Sequence, residues 1–331
     1  MLPRMIELTA DELAAVEHQM AQRPERRTRQ QSWQAVDFTT ESHAAGPRRT
    51  IAVASGKGGV GKSTITANLA TLAAQRGLKV GVLDADLHGY SLTRLLGITQ
   101  KASRLGPATP DAVASSAQDD GKTPDAVASS AQDDRGGSKT RNKIKPAEVF
   151  GVRVISIGMF TDPQKAVIWR GPVAHRALTQ FLTDTDWGPL DLMFIDLPPG
   201  TGDIALSIAN LLPNAEQLIV TSPQSASAEV AARSGAMAQH THQKILGVVE
   251  NMAWLETDTG QRLNLFGEGG GAEVAAQLST VLGYQVDLLA QIPLDPQLPV
   301  EADQGKPIAI AHPGASSSRA LTELAARIFG S

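Results

Sequence analysis

Gly56-Lys57-Gly58-Gly59-Val60-Gly61-Lys62-Ser63 is the stretch on which the reading of the whole chain turns. It satisfies G-x-x-x-x-G-K-[S/T] at every fixed position, a coincidence expected in roughly one chain in a hundred of this length. Its surroundings agree with it. The apolar run 51–54 reads as a strand, and Ile65, Leu69 and Leu72 recur at helical spacing until Gly77, a residue type that ends helices. A phosphate needs this order of strand, glycine loop and helix. Glycines let backbone N–H groups close on the oxygens, and the helix N-terminus adds partial positive charge. A nucleoside triphosphate with Mg²⁺ is therefore expected on Gly56, Lys57, Gly58, Gly59, Val60, Gly61, Lys62, Ser63 and Thr64. Lys62 would reach the β- and γ-phosphates and Ser63 would ligate the metal.

Working outward, the runs 80–83, 152–157, 192–195, 217–220 and 245–249 also read as strands, with helical patterns between them. The alternation predicts an α/β protein of the P-loop NTPase type, with a mainly parallel sheet and helices on both faces. In such sheets ligands lie beyond the carboxyl ends of the strands. Acids stand at two of those ends. Asp84 and Asp86 close the second run, where a P-loop ATPase needs groups for the metal and the attacking water, although either could instead cap the following turn. Asp196 closes 192–195 in the Walker B manner and is expected to bind Mg²⁺ through water. The loop after it, Leu197-Pro198-Pro199-Gly200-Thr201-Gly202-Asp203, is stiffened by two prolines. Gly200 can bring its N–H to the γ-phosphate, and Asp203 suits a cap on the next helix better than the chemistry.

Composition removes several alternatives. The 331 residues carry 30 Lys plus Arg against 34 Asp plus Glu, so no global positive field favours nucleic acid or anionic lipid. Aromatics are 4 %, leaving Ala, Val, Leu and Ile to fill the core. Cysteine is absent, which excludes disulfides, thiol nucleophiles and thiolate ligation of iron by this chain. No run approaches the roughly 18 apolar residues of a membrane span, and Met1-Leu2-Pro3-Arg4 lacks the apolar core of a signal peptide. A cytoplasmic protein is the expectation.

Residues 1–49 read as an N-terminal arm with one short helix, begun by Thr9 and Glu12 as a capping box before Leu13, Val16 and Met20. Residues 50–331 read as the P-loop ATPase domain, interrupted at 101–146. There the twelve-residue stretch from Thr109 to Asp120 recurs word for word from Thr123 to Asp134. With no aromatic residue and abundant Ala, Ser, Asp and Gly, this insertion buries too little to offset ordering and is expected to be disordered. Two weaker features stand open. Gly269-Gly270-Gly271 suits either an anion site at a helix start or a flexible loop, and His240 with His242 lacks the carboxylate neighbours of a metal site. The stripe Leu321, Leu324, Ala325, Ile328 and Phe329 suits packing onto the domain, since Glu323 opposes Arg327 where a membrane anchor would be basic.

Lys57, just after the first glycine, adds a resemblance. Lys-Gly-Gly-Val-Gly-Lys-Ser resembles the deviant Walker A loop of the ParA, MinD and nitrogenase-iron-protein superclass, in which the extra lysine crosses a nucleotide-sandwich dimer to the partner's phosphates. The resemblance implies an ATP-dependent homodimer with Lys57, Lys62, Asp84 and Asp86 as its catalytic set, Asp84 and Asp196 joining Ser63 around Mg²⁺. Further blocks resemble the Mrp (ApbC) family of iron-sulfur cluster carrier ATPases. They are Asp84-Ala85-Asp86 with Ser91 and Leu95-Leu96-Gly97; Trp169-Arg170-Gly171-Pro172; the loop 196–203; Val249-Glu250-Asn251-Met252; Phe266-Gly267-Glu268-Gly269-Gly270-Gly271; and Ile292-Pro293-Leu294-Asp295-Pro296. This family likeness implies that Asn251 contacts adenine and that residues around Pro293 flank the base, although Asn at a strand end is also a common turn residue. It further implies iron-sulfur apoprotein clients or assembly proteins as partners.

The likeness breaks at the cargo. Cluster-carrying members place Cys-x-x-Cys shortly after Glu-Asn-Met, whereas this chain has Ala253-Trp254-Leu255-Glu256-Thr257-Asp258-Thr259-Gly260, which reads as a surface hairpin. The cluster is thus implied by the family without a Cys ligand in the chain. Tyr90 and Thr93 also stand where many members have proline. Two other functions remain in view: a ParA/MinD-like positioning or partition ATPase, which needs a basic patch or membrane anchor that is not evident, and a cluster-free ATP switch regulating a protein partner.

Overall fold

The computed structural model describes residues 47–86, 89, 91–99, 103–104, 143–160, 171–224, 227–257 and 259–330. The N-terminal arm up to residue 46, the duplicated segment, Tyr90, Trp169 and Arg170 lie outside the described residues.

Strand β1 (Arg49–Ala54) is flanked by two later strands, β7 (Leu192–Asp196) and β8 (Glu216–Thr221), both parallel to it. Beyond β7 come β2 (Val80–Asp84) and β6 (Val152–Ser156), and beyond β8 come β9 (Ile245–Glu256) and β11 (Leu288–Leu294), all in parallel pairings. Antiparallel strands finish the sheet, β5 (Ala147–Val149) on β6 and β10 (Arg262–Leu263) on β9, so that the order is β10-β9-β8-β1-β7-β2-β6-β5 with β11 also on β9. Later strands lie on both sides of β1, which makes its carboxyl end the switch point where such sheets bind ligands.

Helices cover both faces, as the alternation predicts. One face carries α1 (Lys62–Gln75), α2 (Ser91–Leu95), α8 (Ile308–Ala311) and α9 (Ser316–Phe329). The other carries α3 (Gly171–Thr183), α4 (Asp203–Leu211), α5 (Ser227–Thr241) and α6 (Gly270–Leu282), while α7 (Gln297–Asp303) precedes α8. The strand period of two divides the core accordingly. Ile51, Val53, Val80, Val82, Leu192 and Phe194 pack toward α1, and Ala52, Ala54, Leu83, Met193 and Ile195 pack the opposite way. The same parity aims Asp84 and Asp196 at the α1 side.

Some elements differ from the sequence reading. Strand 152–157 stops at Ser156, and a 3₁₀ turn Ile157–Met159 begins there. Strand β11 contains Pro293, whose missing N–H disguises a strand. The segment 101–146 is narrower as an insertion than its composition implies, because its ends belong to the fold. Strand β3 (Ser103–Arg104) pairs with β4 (Ile144–Lys145), and Ile144 is 2 % exposed in the core with backbone hydrogen bonds to Asp184 and Asp186. One isoleucine at the edge of a polar stretch is lost in an average over the stretch. Helix α9 buries Leu321, Leu324, Ala325 and Ile328 in the core, so the terminal stripe is a packing face.

Candidate functional site

The loop 55–61 joins β1 to α1 and bends through two left-handed residues, Gly59 at φ 80° and Gly61 at φ 86°. Gly61 is doubly determined, because a Cβ there would also fall 2.2 Å from the Asn251 side-chain nitrogen. Helix α1 then starts at Lys62 with Gly61 as its N-cap and no side-chain cap, leaving its first amides to the loop. Loop and helix start line a cavity of about 410 Å³ together with Ser55, Asp86, Arg94, Pro199 and Met252. Gly58 through Thr64 and Lys57 all face it.

Beneath the helix start lies a dense polar cluster. Asp84, Asp196 and Ser156 sit level on adjacent strands, paired in register across β7, β2 and β6. The Lys62 ammonium is 2.9 Å from Asp196 Oδ1, Ser63 Oγ donates to Asp196 Oδ2 at 2.6 Å, and Thr66 Oγ1 donates to Asp196 Oδ1 at 3.0 Å. Ser156 Oγ and the Asp86 N–H donate to the two oxygens of Asp84 at 3.0 and 3.1 Å. Both acids are fully buried. Burial, followed by the neighbouring Asp196 carboxylate, pushes Asp84 up to about 8. Burial also raises Asp196, but Lys62, Ser63 and Thr66 oppose the shift. With an ammonium and two hydroxyls on it, Asp196 is the better home for the negative charge, and the proton of the pair belongs on Asp84.

These donors fit a Mg²⁺ ion. They are hard oxygens, two of them carboxylates, at the helix start where phosphates would arrive. Among the described residues no group of three or more His, Asp or Glu side chains could hold a metal alone, which suits an ion that completes its shell with phosphate oxygens and water. An iron-sulfur cluster does not fit, since the chain has no cysteine.

Other expected residues are placed with more qualification. Asp86 faces the cavity and also accepts the Gly89 N–H at 3.1 Å, so it combines the turn-capping and cavity-facing readings. Lys57 donates to Gln224 Oε1 at 3.1 Å from an exposed position. The Gly200 N–H is held by the Ser55 carbonyl at 2.7 Å and therefore points at β1 rather than into the cavity. Asn251 is buried and donates to the Val60 carbonyl at 2.9 Å, bracing the loop from behind. Neither it nor Pro293 lines the cavity, where Met252 does. Asp203 occupies the first turn of α4, with Gly202 as the N-cap. The start of α6 is filled from within, because Glu250 Oε2 accepts the Gly271 N–H at 2.5 Å and Oε1 accepts Gln291 Nε2 at 2.7 Å. The glycine run is thus no free anion site.

Sequence reasoning missed Thr66, Ser156 and Gln224. Thr66 stands four residues after Lys62, and helical spacing alone could have found it. Ser156 becomes visible only through strand register.

The hairpin expected near Asp258 is formed by β9 and β10, with Glu256 opposite Arg262 and Leu255 opposite Leu263, although Asp258 itself lies outside the described residues. Its side chains are of another kind: the Arg262 guanidinium stacks 4.0 Å over the Trp254 ring, and Leu265 and Phe266 are exposed.

Residues 46–329 match the model of the ParA family, described as NUBPL iron-transfer P-loop NTPases. The chain belongs to this family. It is 51 % identical over 262 residues to an iron-sulfur cluster carrier protein of Mycobacterium leprae, a match covering 79 % of this chain and 59 % of that one. This ParA-family chain thus spans about six tenths of that relative's length. Among solved structures, a nucleotide-binding protein of Archaeoglobus fulgidus in complex with ADP shares 32 % identity with a TM-score of 0.58, covering 78 % of this chain and 87 % of that one. The septum site-determining protein MinD of Pyrococcus horikoshii, complexed with Mg-ADP, shares 25 % identity with a TM-score of 0.52, covering 85 % and 96 %. The P-loop NTPase fold of the family is the fold described above. Among the described residues no helix is long and apolar enough to cross a membrane.

Proposed function

We propose that the protein is a Mg²⁺-dependent ATPase of the Mrp type that serves iron-sulfur cluster assembly or transfer as a nucleotide-gated homodimer. The observation that carries this reading is the convergence of Lys62, Ser63 and Thr66 on Asp196, with Asp84 level beside it, under a glycine loop that opens on a 410 Å³ cavity. In this reading the loop amides and Lys62 hold the phosphates, and Ser63, Asp196 and Asp84 hold Mg²⁺, which when bound offsets charge on the phosphoryl group. Asp86 orients the attacking water from the cavity wall, and Lys57 leaves Gln224 to reach the second copy's phosphates. Gly200 exchanges the Ser55 carbonyl for a phosphate oxygen. Catalysis rests on positioning and charge, without a covalent intermediate. Asn251 acts on the base through the loop it braces, with Pro293 behind it.

The domain layout goes with this reading: one ATPase domain over 50–331, with the arm and the duplicated insertion as appendages, working in the cytoplasm. The names of the relatives support the iron-sulfur connection. Zero cysteines favour one form of it, in which a client or assembly protein contributes the thiolates and this chain contributes the nucleotide switch. Calorimetric titration with MgATP and an assay of phosphate release test the first part, and no binding of MgATP would overturn it. Anaerobic reconstitution with iron and sulfide tests the second. The purified chain should gain no thiolate-type visible absorption, and a stable cluster on it alone would sink the partner-ligand form.

A further inference from the structure

Ser55 is the one loop residue whose side chain lacks an explanation in the cluster described above. It stands directly after β1 and is 2 % exposed, and its hydroxyl is a buried polar atom without a hydrogen-bond partner. Buried hydroxyls in native proteins find partners, and one that does not marks a place where a ligand or water completes the pairing. Ser55 lines the same cavity as Lys57, Lys62 and Pro199, and its hydroxyl lies just behind that lining.

The position along the strand says which part of a ligand would lie there. Val53 is level with Asp196 across the β1–β7 pairing, and Ser55 follows two residues on, just past the end of β1 on the cavity side. Its own carbonyl holds the Gly200 N–H. Ser55 therefore precedes the glycine loop and abuts the 197–200 segment, whereas the inner phosphates of a nucleotide belong to the loop amides and the α1 N-terminus further along the chain.

We infer that the Ser55 hydroxyl donates a hydrogen bond to the terminal phosphoryl group of a bound nucleoside triphosphate and thereby distinguishes triphosphate from diphosphate. The inference rests on the nucleotide reading of the cavity. A hydroxyl donating to a phosphate oxygen makes a charge-assisted bond, stronger than a neutral one. Because the hydroxyl has no partner inside the protein, the nucleotide-free fold gains nothing from it, and the ligand alone would feel its loss.

The test compares wild type, Ser55→Ala and Ser55→Cys, the last keeping nearly the same volume with a poor donor. Each is titrated with Mg²⁺ and a non-hydrolysable ATP analogue, and separately with Mg²⁺ and ADP, and the nucleotide-free melting temperature is recorded. Both variants should melt at or above the wild-type temperature, bind the ATP analogue about ten-fold or more weakly, and bind ADP as wild type does. Unchanged analogue affinity overturns the inference. Equal weakening toward ADP overturns it too, since the hydroxyl would then serve an inner phosphate, and a lowered nucleotide-free melting temperature would make it a structural group. Failure of wild type to bind either nucleotide would instead remove the nucleotide reading on which the inference rests.

Discussion

The loop end of β1 and the hairpin end of β9 are built from opposite materials. At the first, three strands and one helix bring two buried acids, an ammonium and three hydroxyls into mutual hydrogen-bond range, and the positions are fixed by register. At the second, a tryptophan with an unpartnered indole nitrogen lies under an arginine, next to exposed leucine and phenylalanine side chains. The contrast teaches that the groups for handling phosphate and the thiolates for holding an iron-sulfur cluster are separable: the chain has the first and lacks the second.

The largest break in that contrast should come from Lys62→Ala. Phosphate release should fall about 10²–10³-fold, and denaturant unfolding at pH 8 should show a loss of about 3–5 kcal/mol because Asp196 is left buried and unpaired. A variant that unfolds normally would mean the acid pair had already been neutralised by protons. Lys57→Ala sharpens the point from the other side. Its exposed ammonium has one hydrogen bond to Gln224, so turnover should drop about 10²-fold while stability stays within about 0.5 kcal/mol. Equal losses in both measurements would reclassify Lys57 as structural.

The acid pair also predicts a pH dependence. Asp84 is held at about 8 in the fold against an ordinary 3.8, so the native state keeps a proton that the unfolded chain releases. Nucleotide-free stability should therefore be greatest at low pH as far as this group is concerned, and should decline as pH rises between those values. Urea midpoints across that range should show the slope, and Asp84→Asn should flatten it. A smaller effect is expected at Asn251→Ala, which leaves the Val60 carbonyl unpartnered and should weaken MgATP binding about ten-fold. The smallest belongs to the hairpin. Arg262→Ala removes the stacking on Trp254 and should cost at most about 1 kcal/mol in a melt, with phosphate release unchanged. A changed rate would show that the two ends are not independent in function.

Much of the loop end was legible in the linear sequence, because the requirements are local. Gly59 and Gly61 are needed for left-handed turns, Lys62 and Ser63 follow at the helix start, and an acid terminates an apolar run at Asp196. What escaped was whatever depends on neighbours distant in the chain. Ser156 meets Asp84 only because β6 lies beside β2, and Glu250 occupies the start of α6 only because β9 runs beneath it. Asn251, which the resemblance puts against adenine, grips the Val60 carbonyl of the glycine loop through a pairing of distant segments. Strand β11 stayed hidden behind its proline, and Ile144 behind the composition of its neighbours.

Strand β9 covers twelve residues from the sheet interior to the hairpin, with left-handed backbone at Met252 (φ 60°) and an irregular register against β11 between Asn251 and Leu255. Asn251 fastens it to Val60, and Trp254 stands three places further on. The two ends therefore share one backbone, and a shift of the loop at Val60 is passed along that strand toward the hairpin.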